Sequence, residues 1–173
     1  MTSPVVWRLD GVLLDVLTEL GVTLERVDAG AYVVTLPGHR GRVTLVWLLA
    51  GEQSVAVEAF VLHLIDVRDP APLHRWLLAR NLRLRSVHFG CDEVGDLFLT
   101  GSLPHAAVDV PTVDRVLGEL VDLLAEGTPA LLRLAYGDRL DDDEALAAKV
   151  LADGAGRRPA GTPASAPRRD VRR

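Results

Sequence analysis

Two consecutive Val-rich segments, residues 42–49 and 54–66, constrain the fold of this chain most strongly. Gly51, Glu52 and Gln53 between them are typical of a turn, so the segments predict two neighbouring antiparallel strands. Successive side chains of a strand point to opposite faces of a sheet. In the second segment one face carries Val55, Val57, Ala59 and Val61, and the other carries Ala56, Phe60, Leu62 and Leu64, with Glu58 as the main exception. A sheet with one wet face is apolar on one side only, so this pattern predicts a sheet that is covered on both faces.

The remaining segments predict helices and further strands, from apolar residues at helical spacing and from short β-rich runs. Helices are predicted at residues 4–20, 70–81 and 110–126, and strands at residues 22–27, 32–36, 83–89 and 96–100. Gly127, Thr128 and Pro129 are predicted to end the third helix and to begin a short one that reaches about Tyr136. The chain is therefore predicted to be an α+β protein, with a twisted antiparallel sheet of five to six strands and helices packed on it.

The chain is predicted to hold one domain and a tail. A length of 173 residues fits one ordinary domain. The last twenty residues hold six arginines against one aspartate, a net charge of +5; the whole chain carries −5, so residues 1–153 carry −10. We expect a folded domain at residues 1–140, a last helix at residues 141–153 and a disordered Arg-, Pro- and Gly-rich tail at residues 154–173.

The distribution of charge and the length of the apolar runs also limit which classes of partner and which cellular compartment are expected. Phosphate binding needs Lys and Arg clustered on the domain, so the acidic body argues against nucleic acid, and a solubilising tail is favoured over one that binds nucleic acid or lipid. The single cysteine, Cys91, excludes an intrachain disulfide. The longest apolar runs, residues 43–50 and 55–65, are shorter than the roughly 20 residues of a membrane-spanning helix. We expect a cytoplasmic protein without a membrane partner or a leader peptide.

Few residues have the spacing that catalysis or metal binding requires. Cys91 follows His88 by three residues, which on a strand face opposite sides, so a structural cysteine is favoured over a nucleophilic pair. The five histidines lack a zinc-like spacing, and the acidic run at residues 92–96 lacks the alternating ligands of a calcium loop. The glycine-rich residues 38–42 offer N–H groups and arginines to a phosphate, but they lie between two strands, which favours a hairpin loop. We predict no catalytic residue, metal or cofactor.

Three segments carry a resemblance to a known family: LTELGVTLERVDAGAYVVTLPG, LHRWLLARNLRLRSVHFGCDEVGDLFLTGSLP and VDRVLGELVDLL. In these segments and in the order of its elements the chain resembles the YbjN family, in particular its actinobacterial members, over residues 9–140. The resemblance implies the fold of type III secretion chaperones, in the order α-βββ-α-ββ-α, and a role in sensory transduction regulation. It also implies a non-enzymatic, often dimeric protein-binding module, and it carries no catalytic residue over to this chain.

We predict a chaperone-like or regulatory protein-binding module that forms a homodimer and binds an unidentified protein. A small enzyme of unrecognised type and a small-ligand-binding domain are the alternatives. An enzyme needs a pocket with several titratable residues, whereas a binding module needs an apolar surface patch. The predicted interface is drawn from the strand at residues 42–49 and from the second helix: Val43, Leu45, Trp47, Leu49, Leu73, Trp76 and Leu77. A second subunit or a partner segment would cover the second face of the sheet.

Overall fold

The computed structural model describes residues 4–37 and 42–152, and the side chains of all of these except residues 4–7. The helices are α1 (Pro4–Glu19), α2 (Ala71–Asn81), α3 (Val110–Tyr136), α4 (Arg139–Asp142) and α5 (Glu144–Val150). The strands are β1 (Leu24–Asp28), β2 (Ala31–Pro37), β3 (Val43–Ala50), β4 (Ser54–His63), β5 (Val87–Cys91) and β6 (Asp96–Pro104). A 3-10 turn at His105–Ala107 leads into α3.

All six strands form one antiparallel sheet in the spatial order β1-β2-β3-β4-β6-β5. The first four strands follow one another as hairpins, whereas α2 carries the chain to β5 at the far edge before β6 returns beside β4. The predicted α+β fold with an antiparallel sheet and packed helices is confirmed. Four strands precede α2, where the order implied by the family resemblance has three.

One face of the sheet packs against the helices and forms the core. Leu13 and Leu17 of α1, Leu73 of α2, and Leu120 and Leu131 of α3 are fully buried on it. The strands contribute a matching set of buried side chains, namely Tyr32, Val34, Val46, Leu48, Val55, Val57, Ala59, Leu62, Leu97 and Leu99. In β2, β3 and the first half of β4 these residues occupy every second position, as a sheet with one helix-covered face requires.

The predicted alternation in β4 is wrong from Leu62 onward. The pairing of β4 with β6 shifts between Phe60 and Leu62, which places an extra residue, Val61, in this strand. A bulge of one residue reverses the parity of all positions that follow it. Leu62 therefore joins Val55 and Ala59 on the helix-covered face, where it is fully buried, although simple alternation assigns it to the opposite face.

The predicted break in the third helix is also wrong, because α3 continues without interruption through Pro129. A proline inside a helix removes one backbone hydrogen bond and costs about 3 kcal/mol. Tertiary packing offsets this cost, since Thr128 and Leu131 on either side of the proline are buried. At Gly127 a Cβ atom would already lie 3.5 Å from the ring of Phe89, so the helix lies close to β5 here.

A buried carboxylate joins α1 to the hairpin formed by β1 and β2. Asp10 accepts hydrogen bonds from the hydroxyl of Tyr32 at 2.5 Å and from the backbone N–H of Gly30 at 2.8 Å. It also forms an ion pair with Arg26. Burial alone would raise the pKa of Asp10, but these three donors together lower it below its ordinary value. Burial and the neighbouring Asp10 raise the pKa of Tyr32 to about 12.

Two short helices, α4 and α5, occupy the region where one last helix is predicted. The carboxylate of Asp143 accepts a hydrogen bond from the N–H of Leu146 and so begins α5. Leu146 and Val150 are buried and belong to the same core as the sheet and α3. No helix in residues 4–37 and 42–152 is both long and apolar enough to cross a membrane. The predicted disordered tail lies outside the described residues.

Candidate functional site

The second face of the sheet is largely apolar, and its side chains lie outside the core. Partly exposed or nearly buried apolar side chains from four neighbouring strands lie on it. We call this surface the open face and define it by Val33, Leu45, Trp47, Leu49, Phe60 and Phe98. None of these six belongs to the core cluster or packs against it. The sheet thus separates two apolar layers, of which the helices cover one.

The pairing of the strands places the side chains of the open face in rows. Residues that pair across neighbouring strands lie on the same face. One row crosses the whole sheet and consists of Glu25, Val33, Trp47, Glu58, Thr100 and His88. In a second row Phe60 pairs with Phe98, and their rings meet edge to face with centroids 5.7 Å apart. The apolar side chains are therefore contiguous across β2, β3, β4 and β6.

The ionisable side chains that the strands place on the open face are carboxylates and histidines. Glu58 lies in the central row between Trp47 and Thr100. Its pKa is raised, first by burial and second by the negative charge of Asp92. Within β1–β6 no Lys or Arg lies on this face, because the one arginine of these strands, Arg26, points to Asp10 on the helix-covered side.

A histidine and a carboxylate form a pair at one end of the open face. His63 Nδ1 lies 2.5 Å from Asp96 Oδ1, and the side chain of Asp96 is 3% exposed. The imidazole also contacts the ring of Phe60, with centroids 4.7 Å apart. The hydroxyl of Tyr136 donates to the carbonyl of His63, so the C-terminal end of α3 fixes the end of β4. The pair thus extends the ring contacts of Phe60 and Phe98 to the end of β4.

The structure brings together the predicted interface residues of β3. Val43, Leu45, Trp47 and Leu49 all lie on the open face, and Val43 is 59% exposed. The sequence prediction did not include Val33 and Phe98. Val33 lies on the strand that precedes β3, and Phe98 lies on β6, which is distant along the chain; the register of the sheet places them beside Trp47 and Phe60.

The predicted interface residues of α2 occupy a different environment. Leu73 and Leu77 are buried in the core, and Trp76 packs against Phe89 with ring centroids 5.8 Å apart. The same helix instead exposes Leu78 at 69% and, just beyond its last residue, Leu82 at 88%. These two leucines lie one turn apart and face solvent, as an apolar contact between proteins requires.

The arrangement around Cys91 does not favour nucleophilic chemistry. Cys91 pairs with Leu97 and His88 pairs with Thr100, so the two side chains lie on opposite faces of the sheet. Burial and the nearby carboxylates of Asp92 and Asp96 raise the pKa of the thiol, which lowers the fraction of reactive thiolate. Among the described residues no three metal-binding side chains cluster. Of residues 38–42, weighed as a phosphate loop, residues 38–41 lie outside the described part of the chain.

A side-chain amide covers the outer edge of β5. Asn81, the last residue of α2, donates from Nδ2 to the carbonyl of Phe89 at 3.0 Å. The Oδ1 of Asn81 accepts a hydrogen bond from the N–H of Phe89 at 2.8 Å. Asn81 itself is not in the left-handed conformation, since Asp66 is the one non-glycine residue with a positive φ among the described residues. The amide thus has the role that a neighbouring strand would have.

Comparison with known proteins identifies relatives in sequence. The model of the YbjN family, described as "Putative bacterial sensory transduction regulator", matches residues 10–133. An uncharacterized protein of Mycobacterium tuberculosis is 42% identical over 106 residues, which are 61% of this chain and 57% of that protein. One of Mycobacterium leprae is 41% identical over 104 residues, 60% of this chain and 56% of that protein. The matched region spans little more than half the length of these relatives.

Solved structures show the same fold. The Yersinia pestis type III secretion chaperone SycH, in complex with a fragment of YscM2, matches with a TM-score of 0.51 and 20% identity over 71% of this chain and 98% of that chain. The HopA1–SchA chaperone–effector complex matches with a TM-score of 0.52 and 17% identity, over 73% of this chain and 99% of that chain. The ExsC–ExsE complex matches with a TM-score of 0.51 and 22% identity, over 72% of this chain and 93% of that chain. The fold is therefore that of type III secretion chaperones, and the family match over residues 10–133 shows that the chain belongs to the YbjN family.

Proposed function

We propose that this protein is a non-enzymatic, chaperone-like or regulatory module that binds an apolar segment of a protein partner on the open face of its sheet. The observation that carries the proposal is the contiguous set of aromatic and aliphatic side chains from four strands, which no helix within residues 4–37 and 42–152 covers. The neighbours in fold that were crystallised with protein partners support a binding role. The proposal assigns this role to the cytoplasm.

The composition of the open face favours binding over catalysis. Burial of apolar surface contributes about 25 cal/mol per Å², and large aromatic side chains at the centre of an interface dominate affinity. Trp47 lies at such a centre, between Val33 and Glu58 in the central row. An enzyme would need several convergent titratable groups in a pocket, whereas the middle of this face offers one carboxylate, Glu58.

An in-cell crosslinking experiment tests the location of the site. A photoreactive phenylalanine analogue at position 45 is expected to give covalent adducts with a protein partner, and the same residue at exposed position 15 on α1 is not. In the position-45 background, Trp47→Ala is expected to lower the adduct yield at least tenfold. Adducts at position 15 that equal those at position 45, or a yield that does not depend on Trp47, would contradict the proposed site.

Affinity for the captured partner provides a quantitative prediction. Trp47→Ala is expected to weaken binding by about 2 kcal/mol, roughly thirtyfold, because truncation of a central tryptophan commonly costs this much. Val43→Ala at the end of β3 is the matched control, with an expected change below about threefold because that side chain lies at the rim. Titration calorimetry measures both variants. Equal losses for the two would mean that Trp47 is no anchor.

The proposal includes a homodimer, and the exposed leucines of α2 favour this helix as the contact. Leu78 and Leu82 present apolar surface on one side of the helix end, and the open face stays available for the partner. Light scattering coupled to size exclusion is expected to give a dimer for the native chain and a monomer for the Leu78→Glu, Leu82→Glu double variant. Val94→Glu, in the exposed turn before β6, is the control and is expected to stay dimeric. A dimer that survives the double substitution would exclude α2 as the contact.

A further inference from the structure

The further inference starts from Glu58, the carboxylate in the middle of the open face. Along β4 its neighbours on this face are Ala56 and Phe60, and across the sheet they are Trp47 and Thr100. The side chain is partly buried even without a partner. Burial and the charge of Asp92 already disfavour its ionised form. A carboxylate is thus placed where a purely apolar binding surface would be expected to carry Leu or Val.

A partner segment that covered this carboxylate with apolar atoms alone would bind poorly. Such a segment would remove water from Glu58 and leave the charge without a hydrogen-bond donor, which is costly in a protein interior. The strands of the open face place no Lys or Arg beside this charge. The neighbouring Thr100 offers only a neutral hydroxyl, and His88 lies one strand further away, on β5. The other carboxylate in the same row is Glu25, at the exposed edge strand β1. A positive group must therefore come from the partner.

We infer that the segment bound on the open face carries a Lys or Arg between apolar residues, and that this cation pairs with Glu58 while the apolar residues cover Trp47, Phe60 and Phe98. The inference rests on the proposed function and specifies the chemistry of its partner. Arginine fits better than lysine, because its planar guanidinium can bond the carboxylate and stack on the indole of Trp47 at the same time. The net charge of −10 on residues 1–153 attracts such a segment before contact.

The same arrangement gives selectivity against other apolar segments. A segment with Asp or Glu at the central position would place like charges together, and a neutral one would leave Glu58 unpaired. The tail of this chain supplies arginines, but Val171 is the one large apolar residue beside them: residues 154–173 read GAGRRPAGTPASAPRRDVRR. The tail is therefore a weaker ligand than a basic segment with large apolar neighbours, and a peptide of this sequence serves as a comparison.

Peptide selection on the full-length protein tests the inference without knowledge of the natural partner. A random library of 12-residue peptides is selected on the native chain and on the Glu58→Lys variant. The native chain is expected to enrich Arg or Lys flanked by Leu, Ile, Val, Phe or Trp, and Glu58→Lys is expected to enrich Asp or Glu at that position. The tail peptide is expected to bind at least tenfold more weakly than the best selected peptide.

A double-mutant cycle then isolates the ion pair. The best arginine peptide is compared with its citrulline analogue, which has nearly the same shape and no charge. The native chain is expected to bind the citrulline peptide at least tenfold more weakly than the arginine peptide. The Glu58→Gln variant is expected to bind the two peptides with affinities within about twofold of each other. Glu126→Gln, which removes a carboxylate on α3 away from the open face, is expected to discriminate as the native chain does. Thermal unfolding of each variant confirms that it is folded.

The outcomes separate the inference from the proposed function. If arginine and citrulline peptides bind the native chain equally and Trp47→Ala weakens both, the inference is wrong and the open face is still the site. If Trp47→Ala changes neither, or if no peptide is enriched, the open face is not a peptide-binding site and both proposals fail. Enriched peptides that are basic but lack apolar residues, and that bind no better than the tail peptide, would also overturn the inference.

Discussion

Replacing Asp10 with alanine is expected to lower the free energy of unfolding by about 3 kcal/mol, because it leaves buried donors without their acceptor. The carboxylate holds the hydroxyl of Tyr32, the N–H of Gly30 and the guanidinium of Arg26. Asp15→Ala on the exposed side of α1 is the matched control, with an expected change within about 0.5 kcal/mol. Denaturant unfolding measures both variants. Similar values for the two would show that the Asp10 contacts do not stabilise the hairpin.

The pKa of Asp10 gives this contribution a definite dependence on pH. Since the folded-state pKa lies below the ordinary value of 3.8, the ionised form is favoured by folding. The contribution is therefore complete above about pH 5 and is lost as the pH falls through 3.8 toward the lowered folded-state value. The difference in unfolding free energy between the native chain and Asp10→Asn is expected to shrink over that acidic range. A difference that stayed constant down to pH 2 would contradict the assignment.

Replacing Gly101 with alanine is expected to destabilise the fold by about 3 kcal/mol or to prevent folding, because a forced backbone shift costs this much or more. A Cβ atom at this position would lie 2.3 Å from the carbonyl oxygen of Ser86 and 3.0 Å from Val87. The closer of these atoms is backbone and cannot move aside alone, so the start of β5 would have to separate from β6.

Gly90 on the neighbouring strand is the control for this substitution. A Cβ atom there meets only a methyl group of Thr100, at an ordinary 3.6 Å. Gly90→Ala is therefore expected to change the unfolding free energy by less than about 1 kcal/mol. Thermal unfolding followed by circular dichroism compares the two variants. If Gly101→Ala were tolerated as well as Gly90→Ala, the close approach of Ser86 to β6 would be wrong.

Local patterns were enough to predict the fold class and the apolar face of β3. Strand β3 has no bulge, so simple alternation correctly places Leu45 and Trp47 on one face. In β4 a single extra residue reverses the pattern at Leu62, and no propensity marks where the ladder slips. Pro129 is a strong local signal for a helix end, but packing of the turns around it outweighs that signal.

Other features depend on contacts between residues that are distant along the chain. Asp10 interrupts an apolar stripe next to Leu9 and Leu13, which is a sign of special use, but its partners in the hairpin are unpredictable without the packing of α1. Glu58 was visible as the exception in an apolar strand. Its position beside Trp47 follows from the register of β3 and β4, and the contribution of Phe98 follows from the return of β6 beside β4.

The amide of Asn81 has a consequence for how molecules of this protein meet one another. An edge strand with free N–H and C=O groups invites a strand from another molecule, which leads to sheet extension and aggregation. At Phe89, in the middle of β5, both backbone groups are already bonded to Asn81. An incoming strand would have to displace this side chain and the end of α2 with it. The edge at β5 is therefore protected against extension of the sheet by a strand from another molecule, even though the open face beside this edge is apolar.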